Sequence, residues 1–227
     1  MTADELHGSA DQGEAISRIR AVFDEWARNG DAEGMEESHG PFARHVFERF
    51  PLTESSWYLD VGCGNGYSVR WAAARARRGR AVGVDLSPEM IERARSLSAH
   101  LPNVEFHLGA FPGMALPAGR FDAIFSMEVL YYLPDMQPAL EAIRELLTPR
   151  GLFACAVDYY AENAASHAWP ADVGLEMRLL DEAGWRVAFE RAGLVVADQF
   201  RVRLPPDQAS EPWKAEEGSL VTMGKRP

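Results

Sequence analysis

The amino-acid sequence predicts an α/β fold: a doubly wound, mostly parallel sheet of seven strands with helices on both faces. Three observations lead to this fold class. Short apolar runs alternate with amphipathic helical stretches through most of the chain. The first run ends in a turn with three glycines, "VGCGNG". The last two apolar runs have no predicted helix between them, which is typical of an antiparallel strand pair at one edge of a sheet.

The N-terminal region is predicted to form a helical cap over residues 15–50, after a disordered tail over residues 1–14. The tail is polar and acidic, a composition that does not favour a packed structure. The cap opens with apolar residues at i, i+3 and i+4 spacing, which indicates an amphipathic helix: Ile16, Ile19, Val22, Phe23 and Trp26. The stretch "RNGDAEG" interrupts this helix, and a second one follows with Pro41 near its start.

Residues 51–227 are predicted to form the main domain, in which strands and helices alternate. Strands are expected at "SSWYLDVG", "GRAVGVDL", "NVEFHLG", "FDAIFS" and "GLFACAVDYY". Helices are expected over residues 67–78, 87–100 and 136–147, and Ser87 and Pro88 have the residue types of a helix cap and first helical position. A helical insert is expected at about residues 159–192. The strands "LVVADQFRVRL" and "GSLVTMGKR" complete the sheet.

Composition and charge narrow the classes of function. The chain has 227 residues and a formal net charge of −11, from 23 basic and 34 acidic side chains. Such a surface repels a phosphate backbone, so nucleic acid is not the expected partner. The basic cluster "RARRGR" at residues 75–80 fits the C-terminal end of a helix, where cations interact favourably with the helix dipole.

Several short motifs are absent from the sequence. It has no HExxH or Cys/His cluster, no GxSxG elbow and no GK[ST] loop, so we expect no metal site. The N-terminus lacks the basic and apolar segments of a signal peptide, and no apolar run approaches the roughly 20 residues that span a bilayer. Because the two cysteines, Cys63 and Cys155, form no CxxC pair, we expect a reduced cytoplasmic protein with no membrane partner.

The glycine turn is the strongest candidate for a binding site. Gly62, Gly64 and Gly66 follow the first predicted strand, and ligands of open α/β sheets bind beyond the carboxyl ends of the strands. The spacing G-x-G-x-G differs from the dinucleotide fingerprint G-x-G-x-x-G, which disfavours a nicotinamide dehydrogenase. Asp85 ends the next strand, where a carboxylate can accept hydrogen bonds from a ribose diol; the alternative is an acid that only stabilises the following helix N-terminus.

Four stretches in this order carry a resemblance to a known family: "LDVGCGNG", "VGVDLSPEM", "FDAIFSMEVLYYLPD" and "LLTPRGLF". Together they resemble the class I S-adenosylmethionine-dependent methyltransferases over roughly residues 55–157. The resemblance implies a Rossmann-like sheet and S-adenosyl-L-methionine as the cofactor, with S-adenosyl-L-homocysteine as the product. It also implies a cofactor site formed by Asp60, Gly62, Cys63, Gly64, Gly66, Asp85, Leu86, Met90, Ala110, Phe111, Ser126 and Met127.

Within that implied site, different residues face different parts of the cofactor. By the resemblance, Asp60 and the three glycines surround the methionine end and the ribose, and Asp85 takes the ribose hydroxyls. Leu86 and Met90 would pack on adenine, and Ser126 would lie beside the methionine moiety. Cys63 is interpreted mainly as a small filler inside the turn, and Met127 adjoins Ser126.

The sequence departs from the family pattern at two places. Many members carry an acid after the third strand that accepts from the adenine amino group, and this chain has Ala110 and Phe111 there, so recognition would depend on backbone groups and on stacking by Phe111. Many members also have a Glu-His pair in the loop after the fourth strand. Here Tyr131 and Tyr132 stand instead, so the loop offers no histidine base.

The methyl acceptor is expected between the cap, the "MEVLYY" loop and the segment after the fifth strand. The candidate substrate residues are His39, Tyr131, Tyr132, Tyr159, Asn163 and Trp169. For each aromatic side chain the alternative is ordinary packing against the sheet. For His39 it is a solvated position near a helix start. No catalytic residue is assigned, because transfer from a sulfonium needs a base only when the acceptor arrives protonated.

The predicted function is methyl transfer to an O, N or C atom of a small molecule by in-line displacement. Enzymes that methylate nucleic acids are disfavoured, because the sequence has no [DN]PP[YF] stretch after the fourth strand and no Pro-Cys pair. Two alternatives remain open: a protein methyltransferase, and a module that binds the cofactor without turnover. No oligomeric state is assigned.

Overall fold

The computed structural model describes the backbone of residues 3–227 and the side chains of residues 13–30 and 34–227. The strands are β1 Trp57–Val61, β2 Arg80–Asp85, β3 Val104–Leu108, β4 Phe121–Met127, β5 Leu147–Val157, β6 Val195–Val202 and β7 Ser219–Lys225. The α-helices are α1 Ala3–Asn29, α2 Asp31–Phe47, α3 Tyr67–Arg75, α4 Pro88–Ser98, α5 Gln137–Leu146, α6 Trp169–Val173, α7 Glu182–Arg191 and α8 Pro212–Glu216. Short 3₁₀ turns lie at Leu130–Tyr132 and Ala164–Ser166.

All seven strands form one sheet in the order β3-β2-β1-β4-β5-β7-β6. The first five strands are parallel, and β7 is antiparallel both to β5 and to β6. The predicted Rossmann-like fold, with its antiparallel C-terminal pair and its N-terminal helices, is therefore confirmed. The chain builds outward from β1 to β3 and then returns to place β4 on the other side of β1. This reversal is the topological switch point, where ligands of such sheets bind.

Apolar side chains cover both faces of the sheet. Leu59 and Val61 of β1 belong to a cluster that includes residues of α5 and α7, whereas Tyr58 belongs to a second cluster with residues of α2, α3 and α4. Successive residues of a strand point to opposite faces, and parallel strands need both faces covered. The buried sheet therefore holds the carboxyl ends of β1, β2 and β4 in a fixed arrangement.

The N-terminal helices differ from the prediction at two places. The part of the tail before residue 3 lies outside the described residues, and the backbone from Ala3 onward already belongs to α1. A polar composition does not by itself exclude a helix, and this segment contains several good helix formers. The predicted break between the helices is short, because Gly30 takes a left-handed conformation with φ 88° and α2 starts at the next residue. Pro41 consequently lies inside α2, on its exposed side, and not near its start.

Three further boundaries differ from those predicted. The helix α3 ends at Arg75, so most of the predicted basic helix end forms the turn into β2. The insert is helical only in α6, α7 and a 3₁₀ turn, and residues 174–181 connect them without a helix. A short helix, α8, lies between the last two strands, where none was predicted. Among the described helices, none has the length and apolar character needed to cross a bilayer.

Candidate active site

A cavity of about 590 Å³ opens at the switch point, at the carboxyl ends of β1, β2 and β4. Its size lies in the range typical of small-molecule sites. The ends of the strands and their following turns form one half, which we call the cofactor half. The cap helices, the turn after β4 and helix α6 form the other half, which we call the acceptor half. The two halves belong to one continuous space.

The glycine turn shapes the cofactor half by its backbone. Gly62 has a left-handed conformation (φ +76°), and a Cβ placed on it would lie 2.2 Å from Cγ2 of Val129. Gly64 is also left-handed (φ +51°), but a Cβ there would meet no atom within 4 Å. Gly62 therefore permits close packing between the turns after β1 and β4, whereas Gly64 leaves open space for a ligand against the backbone.

Asp85 closes the glycine turn from the neighbouring strand. Its carboxylate oxygens accept hydrogen bonds from the backbone N–H of Gly64 (2.8 Å) and of Ser87 (2.9 Å). Burial raises the pKa of the Asp85 carboxyl, and these hydrogen bonds act in the opposite direction. The predicted cap of α4 is Ser87, whose side chain accepts from the backbone N–H of Met90. Asp85 therefore lies at the cavity wall and does not itself cap the helix.

Asp60 lies behind the glycine turn and does not line the cavity. Its carboxylate accepts from the Ser68 hydroxyl, which in turn accepts from the Tyr58 hydroxyl at 3.0 Å. Burial raises the pKa of Asp60 to about 7; the Ser68 bond lowers it, and the charge of Asp85 raises it further. The structure thus places this acid beneath the turn, where it supports the backbone.

The other residues of the implied cofactor site divide into two groups. Those that line the cavity, besides Gly62, Gly64 and Asp85, are Cys63, Leu86, Met90, Ala110, Phe111 and Met127. Two lie outside its wall: Gly66, which precedes α3 as its N-cap residue, and Ser126. The buried hydroxyl of Ser126 donates to the carbonyl oxygen of Val61 at 3.0 Å, and so links β4 to β1. Burial is also the main cause that raises the pKa of the Cys63 thiol, as expected of a packed side chain.

The candidate substrate residues are only partly brought together. His39, Tyr131, Tyr132 and Trp169 line the acceptor half. Tyr159 is buried behind the wall, with its ring centroid 5.5 Å from that of Tyr131.

Asn163 is fully buried, and its amide donates to the carbonyl oxygen of Asp158 at 2.8 Å. For Tyr159 and Asn163 the geometry matches packing behind the wall and not contact with a ligand in the cavity.

Glu128, the first residue after β4, is a wall residue that the sequence did not predict. Glu128 lines the cavity and has a left-handed conformation (φ 59°) that is uncommon for a non-glycine residue. Its carboxylate accepts from the Tyr131 hydroxyl (2.8 Å) and from the backbone N–H of Asp158 (2.5 Å). An acid directly after a parallel strand that ends at the switch point is a signal that could have identified it.

Glu128 belongs to a buried polar cluster that also includes His39, Asp158 and Lys214. Nε2 of His39 lies 3.8 Å from Oδ2 of Asp158, and one ligand-type atom from each of His39, Glu128 and Asp158 lies within 4.8 Å of the others. The buried ammonium of Lys214 donates to the hydroxyl of Ser38 at 2.7 Å. Burial lowers the pKa of His39 and raises that of Asp158, and the positive charge of Lys214 acts to lower both. This positive charge disfavours a divalent cation at the same place.

The cap contacts the cofactor half through polar side chains. Glu36 of α2 accepts from the Asn65 amide (2.7 Å) in the glycine turn and pairs with Arg70 of α3 (3.2 Å). Ser87 donates to Asp24 of α1 at 2.5 Å. The predicted amphipathic helix turns most of its apolar face to the cavity, through Ile16, Ile19, Phe23 and Trp26. The spacing of these residues predicted a helix, but it did not predict that the helix would form a wall of the site.

Comparison with known proteins gives a consistent result. The family model described as "Methyltransferase domain" matches residues 59–155. A trans-aconitate 2-methyltransferase of Methylobacterium radiotolerans is 36% identical over 141 residues, which are 58% of this chain and 53% of that protein. A ubiquinone biosynthesis O-methyltransferase of Psychrobacter arcticus is 37% identical over 131 residues, 54% of this chain and 48% of that protein. The chain thus spans about half the length of the curated relatives it matches.

Solved structures extend the similarity over most of the chain. A methyltransferase in complex with a Haloferax volcanii methyltransferase activator is 33% identical with a TM-score of 0.83, and the match covers 92% of this chain and 97% of that one. A geranyl diphosphate C-methyltransferase of Streptomyces coelicolor with bound S-adenosyl-L-homocysteine has a TM-score of 0.68 at 14% identity, with 83% and 79% of the two chains covered. The second match supports the fold alone.

A glycine turn and a strand-end acid at the switch point of a doubly wound sheet define a nucleotide-cofactor protein. The matched domain and the similarity over nearly the whole length of a solved methyltransferase identify which class of cofactor protein this is. The chain belongs to the class I S-adenosylmethionine-dependent methyltransferases, and its cofactor is S-adenosyl-L-methionine. The open space at Gly64 and the Asp85 carboxylate at the wall fit this cofactor.

Proposed function

We propose that the enzyme transfers the methyl group of S-adenosylmethionine to a small molecule with a mainly apolar body. The observation that carries this proposal is the continuous cavity, in which the cofactor half opens directly into an acceptor half walled by Phe23, Trp26, Tyr132 and Trp169. Aromatic walls bury apolar surface and select flat or extended ligands. The two halves share one space, so a donor and an acceptor bound in them would lie next to each other.

The proposed cofactor contacts are those that line the cofactor half. Asp85 would accept from the ribose hydroxyls, and Gly64 would let the cofactor approach the backbone. Leu86, Met90 and Phe111 would surround the adenine ring. Asp60, Gly66 and Ser126 would act indirectly, because they hold the turn and the strand ends in place from outside the wall.

The chemistry of the donor leaves the protein a limited task. S-adenosylmethionine, which is consumed in each turnover, supplies a methyl group already activated by the positive sulfonium. The protein must align the acceptor with the sulfur–carbon bond and exclude water, and such alignment can contribute about 7–11 kcal/mol to lowering the barrier. The cap helices supply the exclusion of water, because α1 and α2 contribute part of the wall.

The relatives support a small acceptor but differ in which one they use. Their names give trans-aconitate in one case and ubiquinone biosynthesis in another. Because this chain spans only about half of each of these relatives, we assign neither acceptor to it. A carboxylate acceptor would need a cation in the acceptor half, and the lining there is mostly aromatic and aliphatic.

A second candidate is an enzyme that acts together with a partner protein. It is favoured by the Haloferax volcanii structure, which is a complex with a methyltransferase activator and matches nearly the whole of this chain. A protein substrate and a binding module without turnover also remain consistent with the cofactor half. Addition of the Haloferax volcanii activator to an activity assay separates this candidate, since an increase in methyl transfer would support it.

Calorimetric titration with S-adenosylmethionine and S-adenosylhomocysteine is the direct test of the cofactor site. Micromolar binding of both ligands is expected. Incubation with radiolabelled methyl donor and a panel of phenols, carboxylic acids, amines and a protein extract then tests the acceptor class. Binding without transfer to any small molecule would contradict the proposal, and transfer only to protein would replace it by the protein methyltransferase.

A further inference from the structure

The buried polar cluster of His39, Glu128, Asp158 and Lys214 lies at the wall of the acceptor half, where His39 and Glu128 face the cavity. We propose that His39 is the general base of the reaction, that Asp158 positions its ring, and that the acceptor is a weakly acidic hydroxyl on an apolar body, of the phenol class. This inference rests on the proposed function, because it needs methyl transfer in this cavity.

His39 lies where the two halves of the cavity meet. It lines the cavity from α2, and its side chain is 23% exposed, so the imidazole is accessible from the cavity. It also lies near the end of β4, since the carboxylate of Glu128 is within 4.8 Å and Glu128 directly follows Met127. The carboxyl end of β4 is where the two halves of the cavity meet. A base at this point can reach an acceptor atom that faces the methyl donor.

Asp158 is held in a fixed position beside the His39 ring. Its carboxylate is 1% exposed and accepts from the Ser219 hydroxyl, while its backbone N–H donates to Glu128. These contacts, together with the Asn163 amide on its carbonyl oxygen, hold it firmly. The distance of 3.8 Å from His39 Nε2 to Asp158 Oδ2 is longer than a hydrogen bond, and such contacts in free enzymes often tighten when substrate binds.

Burial and the charges around His39 together favour its neutral form. Three groups face His39: Asp158 and Glu128 from the strand ends, and Lys214 from α8. Burial lowers the pKa of His39, as does Lys214, whereas Asp158 raises it. Burial and the charge of Asp158 raise the pKa of Glu128 well above its ordinary value, so Glu128 favours its neutral form. The imidazole therefore enters the reaction uncharged and able to accept a proton.

The proposed step moves one proton and one methyl group. The O–H bond of the acceptor breaks, and its proton passes to a ring nitrogen of His39. The acceptor oxygen forms a bond to the methyl carbon, and the electron pair of the breaking carbon–sulfur bond stays on the sulfur. The imidazolium beside Asp158 then releases the proton to solvent. A phenol needs such a base because its pKa, about 10 as in tyrosine, leaves it protonated at neutral pH.

The test uses two phenols that differ in acidity. Para-cresol is protonated at mildly alkaline pH, whereas para-nitrophenol is largely ionised there. In His39→Gln, we expect kcat with para-cresol to fall by about 10²–10⁴-fold. We expect a much smaller loss with para-nitrophenol, because its proton is already gone. His100→Gln is the matched control, since His100 is exposed and outside the cavity wall.

Three outcomes would overturn the inference or its foundation. Equal losses with both phenols would assign His39 to binding or packing and not to proton transfer. Transfer to neither phenol by the wild-type enzyme, with calorimetric binding of S-adenosylmethionine intact, would reject the phenol class. If the wild-type enzyme does not bind S-adenosylmethionine, the proposed function itself is contradicted.

A measurement without turnover tests the pairing of His39 and Asp158. NMR titration of the imidazole, assigned by its loss in His39→Gln, reports the pKa of His39. Asp158→Asn is expected to lower this pKa, and Lys214→Met is expected to raise it, because each removes a charge that now acts in the opposite direction. If Asp158→Asn does not fold, Lys214→Met and the two phenols still decide whether His39 accepts the proton. An imidazole pKa that responds to neither substitution would contradict the pairing.

Discussion

The two halves of the cavity are built in different ways. The central part of the cofactor half comes from one continuous stretch, residues 61–90, in which strand ends and turns follow one another. The acceptor half comes from separate segments: the cap helices, the turn after β4 and helix α6. The cofactor half presents backbone and one partly exposed carboxylate, whereas the acceptor half presents aromatic rings and two members of the buried polar cluster, His39 and Glu128.

This difference shows how a common donor and a particular acceptor can share one fold. Backbone groups in the cofactor half are positioned by left-handed glycines and by Asp85, so their arrangement depends on local geometry. The acceptor half depends on side chains from helices that are far apart in the chain, so single substitutions can change its shape without disturbing the sheet. We therefore expect substitutions in the cofactor half to affect stability and cofactor affinity, and substitutions in the acceptor half to affect turnover.

The largest expected effect concerns Asp60, which is buried beneath the cofactor half. Its pKa of about 7 lies above its value in the unfolded chain, so the folded protein binds the proton more tightly. Its contribution is therefore fully present below about pH 4 and is lost as pH rises to about 7, a change of about 4 kcal/mol in the free energy of unfolding. Denaturant unfolding across this range should show that Asp60→Asn lacks this decline. Asp207→Asn, at an exposed site, should match the wild type.

If Asp60→Asn and the wild type show the same pH dependence, Asp60 is not a buried titrating acid. Cofactor binding to Asp60→Asn should remain close to normal, because this side chain does not line the cavity. A large loss of affinity would instead indicate that Asp60 contacts the ligand directly. It would contradict the position of this side chain behind the cavity wall.

The next effect separates two glycines of the same turn. Gly62→Ala should lower the free energy of unfolding by about 2–4 kcal/mol, because the new Cβ would combine a left-handed conformation with a collision with Val129. Gly64→Ala should lower it by only about 1–2 kcal/mol, since only the conformation is unfavourable. Thermal and denaturant unfolding measure both. Equal losses would contradict the different surroundings of the two glycines, and Gly62→Ala combined with Val129→Ala should recover part of the loss.

Cofactor affinity provides the third comparison. Asp85→Ala should weaken S-adenosylmethionine binding by about 10–100-fold, the usual range for hydrogen bonds to a charged group. Gly64→Val should also weaken it strongly, because the side chain would occupy open space at the wall. Calorimetry gives both values, and Leu179→Ala is a control because Leu179 is exposed and outside the wall. Normal affinity in both variants would contradict the assignment of the cofactor half.

The smallest effect concerns the contact between cap and glycine turn. Glu36→Gln removes the charge that pairs with Arg70 but keeps a side chain able to accept from Asn65. We expect stability to change by less than about 1 kcal/mol and the dissociation of S-adenosylhomocysteine to become a few-fold faster. Glu48→Gln loses a comparable ion pair with Arg75 outside the cavity wall and should leave dissociation unchanged. Identical dissociation rates in both variants would show that Glu36 does not hold the cap.

Much of the fold could be predicted because the signals are local. The alternation of apolar runs and helices, the Ser87 cap and the antiparallel final strands follow from short-range patterns, and the structure agrees with each. The tail, the position of Pro41 and the extent of the insert differ, because helix boundaries in polar segments depend on weak propensities. The helix α8 has only five residues, which are too few to show a helical period in the sequence.

The sequence by itself determined the glycine turn and the acid at the end of the next strand, because the glycines and Asp85 lie close to one another along the chain and the backbone geometry of the turn follows from residue type. The tertiary structure alone decided which acid lies beneath the turn, which ring faces the cavity, and that His39, Glu128, Asp158 and Lys214 meet. These four residues come from α2, from the ends of β4 and β5 and from α8. Local sequence patterns do not predict such long-range proximity, since it arises only when the helices pack on the folded sheet.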